Sequence, residues 1–409
     1  TGERAARYGR SMAIGDWNSD GLPDLAVGAV LADRGAVDDT GAVYLYEGVA
    51  TGGVNPEPVK VIYGGRGGGQ SGSAVELCDF NGDGKDDLVI GAWVSEISGQ
   101  ANNSGILSMH LNRDGVFSDD PDQQIQGQSY REDEETGEWG WSGRVDHRIG
   151  YYLSTGDIDG DGRCDLVASS YSTRGYPNVA ETGEVQIFKG MDTFGDPPLT
   201  GPDGGLTTLP VKVITESPSD ANAARLGWRT LVVDRNGDGK SELIISQPRS
   251  HINASDAGAI FIYEWSELSD EPADAYLTTS DAGEQLAGSS GSEYFGYSLS
   301  VGDFDGDGYK DLAVGAYNDE ISGSPSNVGS LRVFRFDEGQ DAYETEPAHM
   351  MIGALNSDNF GESVVILGQG HVAGYAGFDD TLGPQAGRPY WGRLFTDEDG
   401  IESIESIAL

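Results

Sequence analysis

The chain has 409 residues, enough for a sizeable core, and carries 68 acidic against 25 basic side chains, a net charge of −43. That balance argues against nucleic acid, whose phosphates need clustered Lys and Arg, and against anionic membrane surfaces. No apolar run reaches the length of a membrane span. The acidity has two ordinary readings, a calcium-rich extracellular protein or a protein of a salty habitat, and composition leaves both open. The first residue is Thr1, not Met, which reads as removal of an upstream part, a signal peptide or a domain. Cys78 and Cys164 could form a disulfide or stay as two buried thiols.

Taken in order, the chain repeats one pattern. Residues 10–15 (RSMAIG) read as a strand, and an Asp-rich loop follows. Residues 25–29 are a second strand, 41–48 (GAVYLYEG) a third with period-two alternation, and 59–63 (VKVIY) a fourth. The repeats are expected at 9–64, 71–127, 149–215, 225–288, 294–353 and 359–409, within one domain spanning 1–409. The sixth is degenerate. Gln369-Gly370-His371 stands where its loop should be, so that repeat is expected to bind no cation.

The loops carry the chemistry. The fifth is Asp303-Phe-Asp-Gly-Asp-Gly-Tyr-Lys-Asp311, with side-chain oxygens at positions 1, 3, 5 and 9 from Asp303, Asp305, Asp307 and Asp311. Position 7, Tyr309, adds a backbone carbonyl. Gly306 and Gly308 allow a tight curl. Hard oxygen donors in that number suit Ca2+. The first positions match an EF-hand loop, but position 12 is Ala313 in an apolar run, not a bidentate Glu on a helix. Asp16, Asn18, Asp20, Leu22 and Asp24 form the first copy. Asp79, Asn81, Asp83, Lys85 and Asp87 form the second. Asp157, Asp159, Asp161, Arg163 and Asp165 form the third, and Asp234, Asn236, Asp238, Lys240 and Glu242 the fourth. About five Ca2+ sites are therefore expected, each tying the first strand of a repeat to the second.

The run from Phe295 to Ala316, Phe-Gly followed by Gly-Asp-Phe-Asp-Gly-Asp-Gly and Asp-Leu-Ala-Val-Gly-Ala, resembles the FG-GAP repeat. That repeat builds the β-propeller head of integrin α subunits and of many bacterial surface and secreted proteins. The resemblance covers essentially the whole chain, although repeat four reads Ser246-Gln-Pro where Gly-Ala-Pro is usual. It implies an all-β fold, a β-propeller of four-stranded antiparallel blades. Six blades are expected, or seven if one was removed upstream of Thr1. It also implies an extracellular or cell-surface location.

Two inserts interrupt the pattern. Residues 128–148 contain Tyr130, Trp139, Trp141, Asp146 and His147. Exposed aromatics there would suit a sugar ring or a protein partner, whereas the plainer reading has the tryptophans packing on the blades. Residues 191–210 look like a spacer. No nucleophile elbow, phosphate loop or zinc spacing is present, and His110 reads as a packing residue. Three functions stay open at this stage. One is a calcium-stabilised module binding a protein or glycan through loops on one face. Another is a subunit of an extracellular fibre or sheath, self-associating or attached to a larger surface protein. The third is a polysaccharide-active enzyme using paired carboxylates.

Overall fold

The computed structural model describes residues 6–95, 103–132, 139–143, 147–171, 182–191, 205–207, 210–217, 224–268, 276–321, 326–354, 357–368, 370–376, 388–396 and 402–408. These are almost wholly strand and turn. The chain divides into two compact units, Thr1–Thr215 with Asp270–Leu277, and Glu216–Ser269 with Thr278–Leu409.

In the first unit, blade one is Tyr8–Gly15, Asp24–Ala29, Ala42–Tyr46 and Lys60–Tyr63, an antiparallel meander in sequence order. Blade two is Ala74–Cys78, Asp87–Ala92, Ile106–His110 and Gln123–Gln126. Repeat three gives Leu153–Gly156, Asp165–Ser169, Glu184–Phe188 and Lys212–Thr215, and its sheet takes a fifth strand, Tyr276–Thr278. In the second unit, one blade is Thr230–Val233, Glu242–Gln247, Ala259–Tyr263 and Glu284–Ala287. The next is Ser298–Gly302, Asp311–Ala316, Ser330–Phe334 and His349–Ile352. The last is Phe360–Gly368, His371–Ala376, Arg388–Thr396 and Glu402–Ala408. The four-stranded blades thus number five, not the six or seven expected. Repeat three departs because the segment after Ala259–Tyr263 passes through a helical turn, Trp265–Leu268, and then extends the third sheet.

Within each unit the first strands of successive blades lie against one another. Among the described residues, the buried apolar side chains cluster between neighbouring sheets. Ala13, Trp17, Val43, Leu45, Val75, Leu77, Leu88 and Phe117 fill the space between blades one and two. Ile244, Ile262, Phe295, Leu312, Val314 and Phe334 do the same in the second unit. A lone four-stranded sheet would leave such side chains in water, so the repeats stabilise one another by mutual burial.

The blades meet closely because glycine removes side chains from the seam. A Cβ on Gly91 would stand 2.4 Å from the carbonyl oxygen of Gly150, and one on Gly315 would stand 2.0 Å from that of Gly361. Gly150 itself sits at φ 85°, a region costly for other residues. A hydroxyl closes the same seam three times. Ser11 Oγ donates to the Gly72 carbonyl (2.9 Å), Ser73 Oγ to that of Gly150 (2.8 Å) and Ser298 Oγ to that of Gly361 (2.8 Å). Ser246 replaces the seam glycine in repeat four, and its hydroxyl accepts the Arg229 amide at 3.0 Å. Cys78 and Cys164 form a disulfide across blade two and repeat three, with Cα atoms 6.0 Å apart. That removes the free-thiol alternative.

Gly91→Ala is expected to destabilise by about 3 kcal/mol in chemical denaturation, because backbone must move. Gly65→Ala, where no atom lies within 4 Å of the added carbon, should stay within about 0.5 kcal/mol. Equal effects would contradict the seam.

Candidate metal centre

Five loops join the first strand of a repeat to its second, and all curl the same way around their own carboxylates. In loop three, Asp157 accepts the amides of Gly160 (2.8 Å), Asp161 (3.0 Å) and Gly162 (2.8 Å). Asp79 accepts those of Gly82 (2.7 Å), Asp83 (3.1 Å) and Gly84 (2.7 Å). Asp16, Asp234 and Asp303 repeat the arrangement at position 1. At position 3, Asn18, Asn81, Asp159, Asn236 and Asp305 each accept the position-5 amide. At position 5, Asp20, Asp83, Asp161, Asp238 and Asp307 accept the amides of Leu22, Lys85, Arg163, Lys240 and Tyr309. The curl requires left-handed backbone at positions 4 and 6. Gly306 and Gly308 supply it at φ 86° and 100°, while loop one uses Ser19 at φ 58° and Gly21 at 81°.

Position 9 behaves differently. Asp24, Asp87, Asp165, Glu242 and Asp311 open the second strands and are buried. In four of them one oxygen accepts an amide just beyond the third strand: Gly48 (2.7 Å), Asn112 (2.8 Å), Gly190 (3.1 Å) and Phe336 (3.0 Å). In loops three, four and five an oxygen also accepts the position-2 amide, of Ile158, Arg235 and Phe304. In loops one and two the second oxygens of Asp24 and Asp87 are buried with no well-formed hydrogen bond. An orphaned, desolvated carboxylate oxygen is costly, and a cation beside it removes the cost.

Burial pushes these carboxyls up, against the pull of their amide partners. Asp87 and Asp165 rise to about 7, Glu242 to about 7 and Asp311 to about 6, and Asp24 also rises. Neighbouring loop aspartates add to the upward push on Asp87. In loops three and five, oxygens of positions 1, 3 and 9 (Asp157, Asp159 and Asp165; Asp303, Asp305 and Asp311) all lie within 4.8 Å of one another. Asp161 and Asp307 stand outside those triplets. Loops one, two and four carry Asn at position 3, so their convergent carboxylates are fewer. The donors are all oxygen, carboxylates except for Asn18, Asn81 and Asn236, and held by backbone amides, a set that fits a hard divalent cation such as Ca2+.

One residue escaped the sequence reading. Position 2 is Trp17, Phe80, Ile158 and Phe304 in four loops, all buried and apolar, but Arg235 in the fourth. The Arg235 guanidinium is buried, donates to Glu284 at 2.5 Å, reaches Glu264 at 3.3 Å and lies 3.7 Å from Glu242. It also lies over the rings of Phe336 and Tyr343. The signal was available as a charge at a position apolar in every sibling. The first unit also holds a cleft of about 620 Å³, lined by Arg34, Tyr63, Arg66, Ser95, His110 and Gln124 among others. No motif marks it, because its walls come from strand and loop residues scattered over two blades. His110 is a buried strand residue as expected, with Nδ1 3.0 Å from the Ser118 carbonyl.

The insert after blade two forms a hairpin, Gln128–Glu132 with Trp139–Gly143, in which Trp141 pairs with Tyr130 and Trp139 with Glu132. The side chains of Tyr130, Trp139 and Trp141 lie outside the described residues, as do residues 133–138 and Asp146. His147 is not an exposed insert residue. It is fully buried, with Nδ1 3.1 Å from Ser170 Oγ and Nε2 3.2 Å from Glu184. An imidazole with two polar nitrogens can be buried once both find partners. The expected spacer shows a two-residue ladder, Gly190–Met191 with Gly205–Leu206, and its residues 192–204 lie outside the described residues.

Two outcomes follow. Carboxyls raised by burial hold protons in the folded chain that the unfolded chain has already released, between about pH 4 and 7. Without divalent cations, stability should therefore fall as pH rises from 5 to 7.5, read as Tm in chelator. A flat or rising profile would contradict the desolvation. Separately, Arg235→Ala strands half-buried Glu284 and buried Glu242 and should cost about 3–5 kcal/mol in denaturant unfolding, against near-neutrality if the cluster were solvated.

Comparison with known proteins agrees with this geometry. An FG-GAP repeat model matches residues 295–334, and an FG-GAP-like repeat model matches residues 16–90. Integrin alpha-5 of Xenopus laevis is 31% identical over 203 residues, 47% of this chain and 18% of that protein. Integrin alpha-PS3 of Drosophila melanogaster is 31% identical over 177 residues, 42% of this chain and 14% of that protein. Phosphatidylinositol-glycan-specific phospholipase D of Rattus norvegicus is 40% identical over 86 residues, 21% of this chain and 10% of that protein. The chain thus spans less than a fifth of the length of these relatives. No helix among the described residues is long and apolar enough to cross a membrane. The repeated loops, the glycine seams and these matches together support reading the chain as an array of FG-GAP repeats, each resembling a blade of the β-propeller type.

Proposed function

We propose that this chain is an extracellular binding module, stabilised by Ca2+ at the five loops and recognising a protein or glycan partner through loops and inserts. The observation that carries the reading is the buried position-9 carboxylate, whose second oxygen in Asp24 and Asp87 lacks a well-formed hydrogen bond. The ligand set at each loop is positions 1, 3, 5 and 9, with the position-7 carbonyl of Leu22, Lys85, Arg163, Lys240 or Tyr309. A cation there neutralises crowded carboxylates and ties the first hairpin of each blade. The Cys78–Cys164 disulfide supports an oxidising compartment. The integrin relatives support partner binding as the use of the fold.

The partner surface proposed is the hairpin of Gln128–Glu132 and Trp139–Gly143, with Tyr130, Trp139 and Trp141 as anchors. His147 is buried against Ser170 and Glu184 of repeat three and is left out of that surface.

In excess chelator the melting temperature should drop by roughly 10 °C or more relative to millimolar Ca2+, since each site filled at a hundred times its Kd contributes about 2.7 kcal/mol. An unchanged melt after verified metal removal contradicts the cation reading. Arrays of glycans and cell-surface proteins, probed in Ca2+ and in chelator, test recognition. Trp141→Ala should abolish array binding at an unchanged melting temperature. Undiminished binding by that variant would move the partner surface elsewhere.

A further inference from the structure

The five loops are not equivalent in charge, and the difference has a structural counterpart. Loops one, two and four place Asn at position 3 and so have three carboxylates among positions 1, 3, 5 and 9. Loops three and five place Asp there and have four. In those two loops alone, the residue that follows the third strand is a cation. Lys189 follows Glu184–Phe188 and pairs through Nζ with Asp159 Oδ2. Arg335 follows Ser330–Phe334, with Nε 3.2 Å from Asp305 Oδ2. The equivalent residues beside the Asn-bearing loops are Glu47, Leu111 and Glu264. No side-chain cation pairs with Asp16, Asp20, Asp24, Asp79, Asp83 or Asp87 among the described residues.

The register places these partners where they must act. The residue after Lys189 or Arg335 is Gly190 or Phe336, whose amide holds the position-9 carboxylate of the same loop. The strand therefore delivers a hydrogen bond to position 9 and a charge to position 3 in two consecutive residues. The position-3 carboxylate has both oxygens engaged, Oδ1 by the loop amide and Oδ2 by the cation. Counting the strand-borne partner alone, loops three and five fall from four carboxylate charges to three, the number in loops one and two; Arg163 on Asp161 and Arg235 beside Glu242 are further cations at loops three and four. Loops one and two are the ones that leave a buried position-9 oxygen without a good hydrogen bond.

We propose that Lys189 and Arg335 are built-in cations that offset the extra aspartate at position 3, setting loops three and five apart from loops one and two as divalent-cation sites. Loops three and five are held closed by their own side-chain cation and bind the metal more weakly, because the ion must share Asp159 or Asp305 with it. Loops one and two have no such substitute and depend on the ion to close. This rests on the cation reading above, and the test separates the two.

The full chain carries Lys189→Met, Asp159→Asn or both, and Arg335→Met with Asp305→Asn serves as an independent pair should the first fail to fold. Calcium titration by calorimetry and melting in chelator are both read. Lys189→Met leaves Asp159 without its strand-borne cation, so Ca2+ affinity at that site should rise about tenfold while the chelator melting temperature falls. The double variant, with the neutral Asn of loops one and two, should return both values to near those of the parent. Hydrogen exchange in chelator should show residues 16–24 and 79–87 opening before 157–165. Unchanged affinity and melt in Lys189→Met, or strictly additive effects in the double variant, overturn the proposal. If the parent takes up no Ca2+ yet the chelator melts still show the compensation, the charge matching stands and the metal reading falls.

Discussion

The structure is governed by a carboxylate that enters a strand with its charge unsolvated. Position 9 of each loop begins the second strand of its repeat, in the interior, where an anion is poorly solvated. Its amide partners from the loop and from beyond the third strand recover part of that loss. Through those bonds one side chain joins three strands, so the hairpin, the third strand and the loop form as a unit. The position-1 carboxylate does the same for the loop itself, gathering amides from up to five residues along. Several like charges then lie within a few ångströms, which water alone screens poorly at a half-buried site. A divalent cation, or a strand-borne Lys or Arg, is the economical answer.

Around that unit the blades are packed by subtraction. Glycine at the end of the second strand and glycine at the start of the next blade let two backbones touch, and a serine hydroxyl bridges them. The apolar faces then meet without gaps, each core lying between two sheets and not inside one. Cohesion between repeats is thus geometric as well as hydrophobic, and the Asp-rich loops sit at the hairpin ends of the same sheets.

Much of this was legible in the residues. The alternation of VKVIY and GAVYLYEG placed strands within two or three residues, and the Asp spacing placed the loops, because both are local patterns. The degenerate sixth repeat was legible by the loss of its carboxylates. The fifth strand of the third sheet was not, since Tyr276–Thr278 is short and its partner, Lys212–Thr215, is distant in sequence. His147 was misplaced because an aromatic, acidic insert looks exposed until Ser170 and Glu184 are seen to bury it. The roles of Arg235, Lys189 and Arg335 needed coordinates, since each depends on a neighbour dozens of residues away.

The most direct measurement is a crystal structure of the chain grown in Ca2+, with anomalous scattering used to locate ions. The account predicts peaks in the five loops, about 2.3–2.6 Å from the position-1, -5 and -9 carboxylates. Well-ordered loops with no anomalous density, and waters or side-chain cations alone against Asp24 and Asp87, would contradict it.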